Sequence, residues 1–304
     1  MPVLDIAHAF YLRSKTLPIN VQIHLRGFPE DFDTTWMQLV RLITPRCRTM
    51  NIVMPSVCFL HTEMLLSSFS RHMLPALEEL YIACDVRHTA ADVVFHCPKL
   101  RTLTIPFLPI LRSHSLTTLN LKFAHVSCDK FLITMNCHPT LESLTVDGQI
   151  LWHDRDNLFQ ITRCELPRLI HLAVSDVSAT TQLNLPGLTS FHLIPSSRMT
   201  RGFALGLCLR ALLRVSNNPP LRTVTLHDVC MDDMGLPMLG AMPQIECLSF
   251  ISCTVDASCP DTTCLFPNLS SLRFVQSKGL HDYMACAISA RQLSFPILDV
   301  EVVD

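Results

Sequence analysis

Three histidines, His171, His192 and His227, come closer to a constellation than any other reactive side chains in this sequence. Each belongs to a phrase opened by a leucine (Leu169, Leu188 and Leu221), and with that leucine as position one they stand third, fifth and seventh. If the phrases are neighbouring parallel strands, odd positions share a face and the imidazoles form a diagonal. Neighbours would then lie about 8 Å apart at Cα, given ~4.8 Å between strands and ~3.3 Å per residue. That spacing suits an acidic ligand or partner shared between rings. It is loose for a metal, which would want a carboxylate or thiolate from a loop as well. Cys253, Cys259 and Cys264 form a close cysteine group, but zinc prefers tighter pairs and a fourth ligand. The string HDRD, His153 to Asp156, sets acid and base types together beside Trp152, with no second constellation to complete a site. There is no G-x-S-x-G and no phosphate-binding glycine loop, and glycine occurs only 8 times. The residues therefore predict no catalytic centre, no metal site and no cofactor; the chain reads as a non-enzyme.

Composition narrows the class further. Apolar residues make up 49% of the 304 and charged ones 16%, with a mean hydropathy of +0.32. No uncharged apolar run is long enough to span a bilayer; FALGLCLRALLRV is broken by Arg210. The first residues lack the basic segment and apolar core of a signal peptide. Net charge is −2 with no block of one sign, so neither nucleic acid nor an anionic membrane is indicated as a partner. The 14 cysteines are scattered without a C-x-x-C, and several stand where other phrases carry leucine. Buried, reduced thiols behave so, which points to a reducing compartment, cytoplasmic or nuclear.

The elements that must hold these residues are announced by repetition. CPKLRTLTI (Cys97 to Ile105) and FPNLSSLRF (Phe266 to Phe274) share the spacing Pro-x-Leu-x-x-Leu-x-apolar. The phrase recurs ten times, opened by Cys47, Leu77, Leu100, Leu116, Leu141, Leu169, Leu188, Leu221, Ile245 and Leu269; nine copies carry the proline. From Leu77 to Leu269 the mean interval is 24 residues, with extremes of 16 and 33. A period in this range predicts leucine-rich repeats. Positions four and six alternate with polar residues and so face one side of a short strand. Proline disfavours helix in the residue before it and ends each crossover where a strand must begin. Helical spacing marks some crossovers: Thr35 to Ile43, Thr62 to Met73, Ala204 to Val215, Met231 to Met238 and Tyr283 to Leu293. At position nine, where regular repeats carry Asn or Cys, only Cys253 matches clearly; Asp85, Gln149 and Val229 stand elsewhere.

The expected fold is α/β: an irregular leucine-rich-repeat solenoid, a ribonuclease-inhibitor-like horseshoe with parallel strands on the concave side. It is read as one domain over 1–304. Residues 1–44 hold an N-terminal helix (Val3 to Tyr11), a first strand and a helix; 45–275 hold the ten repeats; 276–304 hold a C-terminal helix and a last strand.

With those residues in view, the chain resembles the repeat portion of F-box/leucine-rich-repeat proteins of mushroom-forming (basidiomycete) fungi. FYLRSKTLPINVQIHL (Phe10 to Leu25) is similar to the segment that follows the F-box there, LITPRCRTMNIVMP (Leu42 to Pro55) to the next strand, and MLPALEELYI (Met73 to Ile82) to the first regular repeat. The F-box itself, which opens with a Leu-Pro-x-Glu type of phrase, is missing; GFPEDFDTTW (Gly27 to Trp36) is the nearest string and follows the first strand. The resemblance implies the substrate-recruiting arm of a cullin-RING ubiquitin ligase. A ligase adaptor is expected as a partner only if an F-box lies upstream, the present sequence then being a fragment or a mis-started gene model. Two alternatives stand beside it: a repeat scaffold with no ubiquitin role, and a small-molecule receptor using the concave face.

On any of these readings the outward strand positions carry the binding. They are Glu79, Tyr81, Thr104, Asn120, Lys122, Thr145, Asp147, His171, His192, His227 and Arg273, with Ser190 among the smaller ones. Tyr81 and Arg273 are the favoured anchors, because aromatic and arginine side chains concentrate binding energy.

Overall fold

A computed structural model of the chain describes residues 12–14, 16–24, 38–39, 41–43, 45–54, 73–84, 94–111, 113–151, 163–194, 205–231, 234–255, 266–294 and 298–303. The expected helices at Val3–Tyr11 and Thr62–Met73, the HDRD string, Cys259 and Cys264 lie outside these residues, except Met73, which forms an isolated parallel bridge with His96. The protein is α/β and divides into two compact units, Met1–Leu141 and Glu142–Asp304.

In the first unit five strands pair in sequence order, every pair parallel: β1 (Ile19–His24), β2 (Cys47–Val53), β3 (Glu79–Ala83), β4 (Thr102–Ile105) and β5 (Thr118–Ser127). In the second unit seven do the same: β6 (Ser143–Leu151), β7 (His171–Val174), β8 (Ser190–Leu193), β9 (Thr223–His227), β10 (Cys247–Ile251), β11 (Ser271–Val275) and β12 (Asp299–Val303). Consecutive parallel strands require crossovers. Some of these carry helices: α1 (Cys128–Asn136), α2 (Leu205–Val215), α3 (Gly235–Gly240) and α4 (Lys278–Ser294). Others carry two-residue parallel pairs, such as Cys164–Glu165 with Leu183–Asn184.

Each part of the repeated phrase has a visible job. In seven repeats the N–H of position one donates to the carbonyl three residues back, at 3.1–3.4 Å, as Leu77 does to Leu74. Proline is thus the second residue of a β-turn, a place its fixed φ suits and where its missing N–H is not needed. The residue before proline is buried in all seven: Leu74, Cys97, His138, Leu166, Leu185, Met242 and Phe266. Positions one, four and six form the core, as with Leu77, Leu80 and Ile82 at 0–2% exposure. Position two chains the repeats together: its N–H donates to the carbonyl of position two in the repeat before, as in Arg101 to Glu78 and Glu246 to Arg222, both 2.8 Å. Side chains at that position pair across the same step, Arg48 with Glu78 at 2.9 Å and Arg222 with Glu246 at 3.4 Å.

The most regular stretch runs from Leu221 to Ser277. Position eight there adopts left-handed backbone three times, at Asp228 (φ 48), Ser252 (φ 54) and Gln276 (φ 51). Each N–H donates to the strand that follows, to Ile251, Val275 and Val303, at 2.7–2.8 Å. Position nine then closes the turn. Cys253 Sγ donates to the Leu226 carbonyl at 3.2 Å, Ser277 Oγ to the Phe250 carbonyl at 3.3 Å, and the Cys253 N–H to Ser277 Oγ at 2.8 Å. Ser277 thus serves the same position as Cys253, an equivalence that an Asn/Cys pattern does not reveal.

The helices correct the sequence reading in places. Where Met231–Met238 was expected to be helical, Cys230–Met231 is a short strand and the helix is Gly235–Gly240. Helix α1, not foreseen, starts at Ser127, whose hydroxyl accepts the Lys130 N–H at 3.4 Å, and buries Phe131, Leu132 and Met135. Its short span offers few apolar repeats from which a period can be read.

Candidate functional site

The outward positions of the strands build two faces, one in each unit. In the first, β1 to β4 line a groove of about 510 Å³. Glu79, Tyr81, Thr102 and Thr104 contribute from β3 and β4; Asn20, Gln22, Thr49 and Asn51 contribute from β1 and β2. Tyr81 is 40% exposed, so its ring is available as a contact surface. In register with it run Gln22, Asn51, Thr104 and Asn120, one per strand. This polar row is partly internally bonded: Asn120 Nδ2 donates to Thr104 Oγ1 at 3.0 Å. Asn51 Oδ1 is buried without a protein partner. Lys122 stands exposed on β5, one residue past the buried Leu121.

Asn20, Gln22, Thr49 and Asn51 were not among the expected site residues. β1 does not carry the full phrase, and β2 carries it with Cys47 and Met50 in place of leucine. The signal that could have found them is the alternation in INVQIH, which the structure repeats as a half-buried, exposed pattern.

In the second unit, Thr145 and Asp147 lie on β6, the histidines on β7, β8 and β9, and Arg273 on β11. Strand register realises the diagonal. His171 pairs with Ser190 and His192 with Ala173, so His192 is two residues further along; His192 pairs with Thr225, leaving His227 two further again. His171 is exposed and the other two are half-buried. Burial lowers the pKa of His192 from its ordinary 6.5, and the charges of His227 and His171 push it the same way. Ser190 faces the same side but is only 8% exposed, so it is floor rather than contact surface. Arg273 is already engaged: its Nε lies 2.9 Å from Glu301 Oε2, with both side chains half-exposed.

No group of three or more His, Cys, Asp or Glu among the described residues is placed to hold a metal ion. Burial pushes the Cys47, Cys97 and Cys128 thiols up to about 12 and Cys253 to about 11. Cys47, Cys97, Cys128, Cys164, Cys208 and Cys253 are buried, while Cys137 and Cys230 are exposed. None of the described helices is long and apolar enough to cross a membrane.

Fold and faces together define an α/β protein of in-register parallel strands that turns one set of side chains into the core and the alternate set outward. In comparison with known proteins, the chain matches no family model and no curated protein.

Proposed function

We propose that the chain is a protein-recognition module built as a single leucine-rich-repeat solenoid, similar to the substrate-recruiting arm of an F-box ligase subunit and working in the cytoplasm or nucleus. The observation that carries this reading is the alternation within each strand of the repeated phrase: positions four and six are buried, while positions three and five, strand after strand, present mainly polar side chains outward, with Tyr81 among them. Repeat arrays use such faces to bind partners. Tyr81, over the groove of the first unit, is the strongest single anchor.

The test is affinity purification from cells of the chain and of a face variant, Tyr81→Ala with Thr104→Glu and Thr145→Glu. Loss of captured proteins in a variant that still folds supports recognition through the outward positions. Capture unchanged by the substitutions overturns it. The ligase link is tested by the longest product of the reading frame: cullin adaptors should accompany that product, and their absence would leave a repeat scaffold without a ubiquitin role.

A further inference from the structure

His171, His192 and His227 stand above a floor of short side chains. Ala173, Ser143, Ser190, Thr223 and Thr225 occupy paired positions around them, with Thr145 on β6 and Ser249 on β10 at the flanks and Ile251 on β10 beside His227. The rings therefore project furthest from this part of the sheet. The charged and titratable groups facing them are few. Asp147 on β6 is offset from His192 by two strands and two residues, about 12 Å at Cα. Asp176, beyond the end of β7, accepts the Ile150 N–H at 3.0 Å. Asp228 follows His227 in the left-handed turn that carries the chain off β9. Cys247 lies on β10, and Arg273 on β11 is held by Glu301. No described carboxylate occupies a register position between the rings.

We propose that this strip docks an extended acidic segment of a partner protein, of the pattern acid-x-acid-x-acid, with one carboxylate to each imidazole. The proposal rests on the reading of this face as a protein-recognition surface and supplies the partner's chemistry. Alternate side chains of an extended peptide project from one face ~6.6 Å apart. The histidines step diagonally by ~8 Å, a difference flexible glutamate side chains span. Unoccupied, His192 is kept from protonation first by its burial and then by the charges of His227 and His171. Carboxylates set against them reverse that preference, so docking takes up protons and tightens as pH falls through the histidine range.

The experiment uses the purified chain and a short fluorescein-labelled peptide alternating Glu and Ser, with a Gln/Ser peptide as the neutral counterpart. Anisotropy should show the acidic peptide binding at least tenfold more tightly at about pH 5.5 than at about pH 7.5. The neutral peptide should show no such change. The triple variant His171→Gln, His192→Gln, His227→Gln should lose the pH dependence while keeping the wild-type melting curve. Should that variant misfold, ring-proton titrations of the wild-type protein decide instead: the acidic peptide must raise the midpoints of all three histidines. Equal affinity at both pH values, equal binding of the neutral peptide, an unaltered triple variant, or midpoints that do not move would overturn the proposal. The assay contains no cellular partner, so its failure leaves the recognition reading intact; that reading falls only to the capture experiment with the face variant.

Discussion

His138 occupies a place its own repeats reserve for apolar side chains. In the turn before each strand the residue preceding proline is Leu74, Leu166 or Leu185 in three other copies, each 0% exposed; His138 is 1% exposed. Its ring nitrogens are buried and poorly satisfied, with the Ser113 backbone acting on them as a hydrogen-bonding group. Leaving a buried polar atom unsatisfied costs about 1–3 kcal/mol. His138→Leu removes these poorly satisfied atoms and substitutes the side chain that fits the equivalent site elsewhere. The variant should therefore be about 1–3 kcal/mol more stable near neutral pH. The gain should appear as a higher urea midpoint with an unchanged slope. Acid should widen it. Burial is the main cause lowering the His138 pKa from 6.5; a hydrogen bond with the Ser113 backbone opposes it, and the charge of His114, a smaller effect, reinforces it. Below 6.5 the unfolded chain takes up a proton more readily than the folded one. Wild-type stability contributed by the neutral ring is thus intact above 6.5 and is lost as pH falls from there towards the lowered folded value. The leucine variant has no such loss. A variant destabilised by more than about 1 kcal/mol, or a gap that stays constant between neutral pH and pH 5, would refute the reasoning.

Leu144 is 1% exposed and pairs with Leu172, so Leu144→Ala should cost about 2–5 kcal/mol in denaturant melts. Thr145→Ala, one residue on and outward, should cost under about 1 kcal/mol; similar losses would place the register one residue off. Ser277→Ala should cost about 1–3 kcal/mol, because the Cys253 N–H loses its buried acceptor and the Val275 and Phe250 carbonyls lose the hydroxyl they share. A loss within measurement error would mean the position-nine contacts are incidental. Thiol reagents at mildly alkaline pH should label exposed Cys137 and Cys230 in the native protein while sparing Cys47, Cys97 and Cys128, whose pKa values near 12 leave almost no thiolate. Native labelling of Cys47 as fast as Cys230, followed by residue-resolved mass spectrometry, would contradict its burial.

Strand positions, their facing and the place where each crossover ends were legible in the sequence because all three are local. A period of two decides which side chains share a face, and a proline two residues ahead of a leucine decides where helix must stop. For the same reason the outward residues from Glu79 to Arg273 could be named in advance, and the diagonal of His171, His192 and His227 followed from phrase positions alone. Tertiary structure decided what depends on neighbours a repeat away. Pairing makes the histidines electrostatic neighbours, ties Arg273 to Glu301, and sinks Ser190 into the floor between its taller neighbours. It brings Asn20, Gln22 and Asn51 alongside Tyr81, although β1 and β2 blur the phrase. It assigns Ser277 to the role of Cys253, because a hydroxyl and a thiol can each reach the carbonyl of the preceding repeat. Burial of His138 belongs to the same class: only the surrounding repeats exclude water from its ring, and no local pattern distinguishes a histidine there from one on the surface.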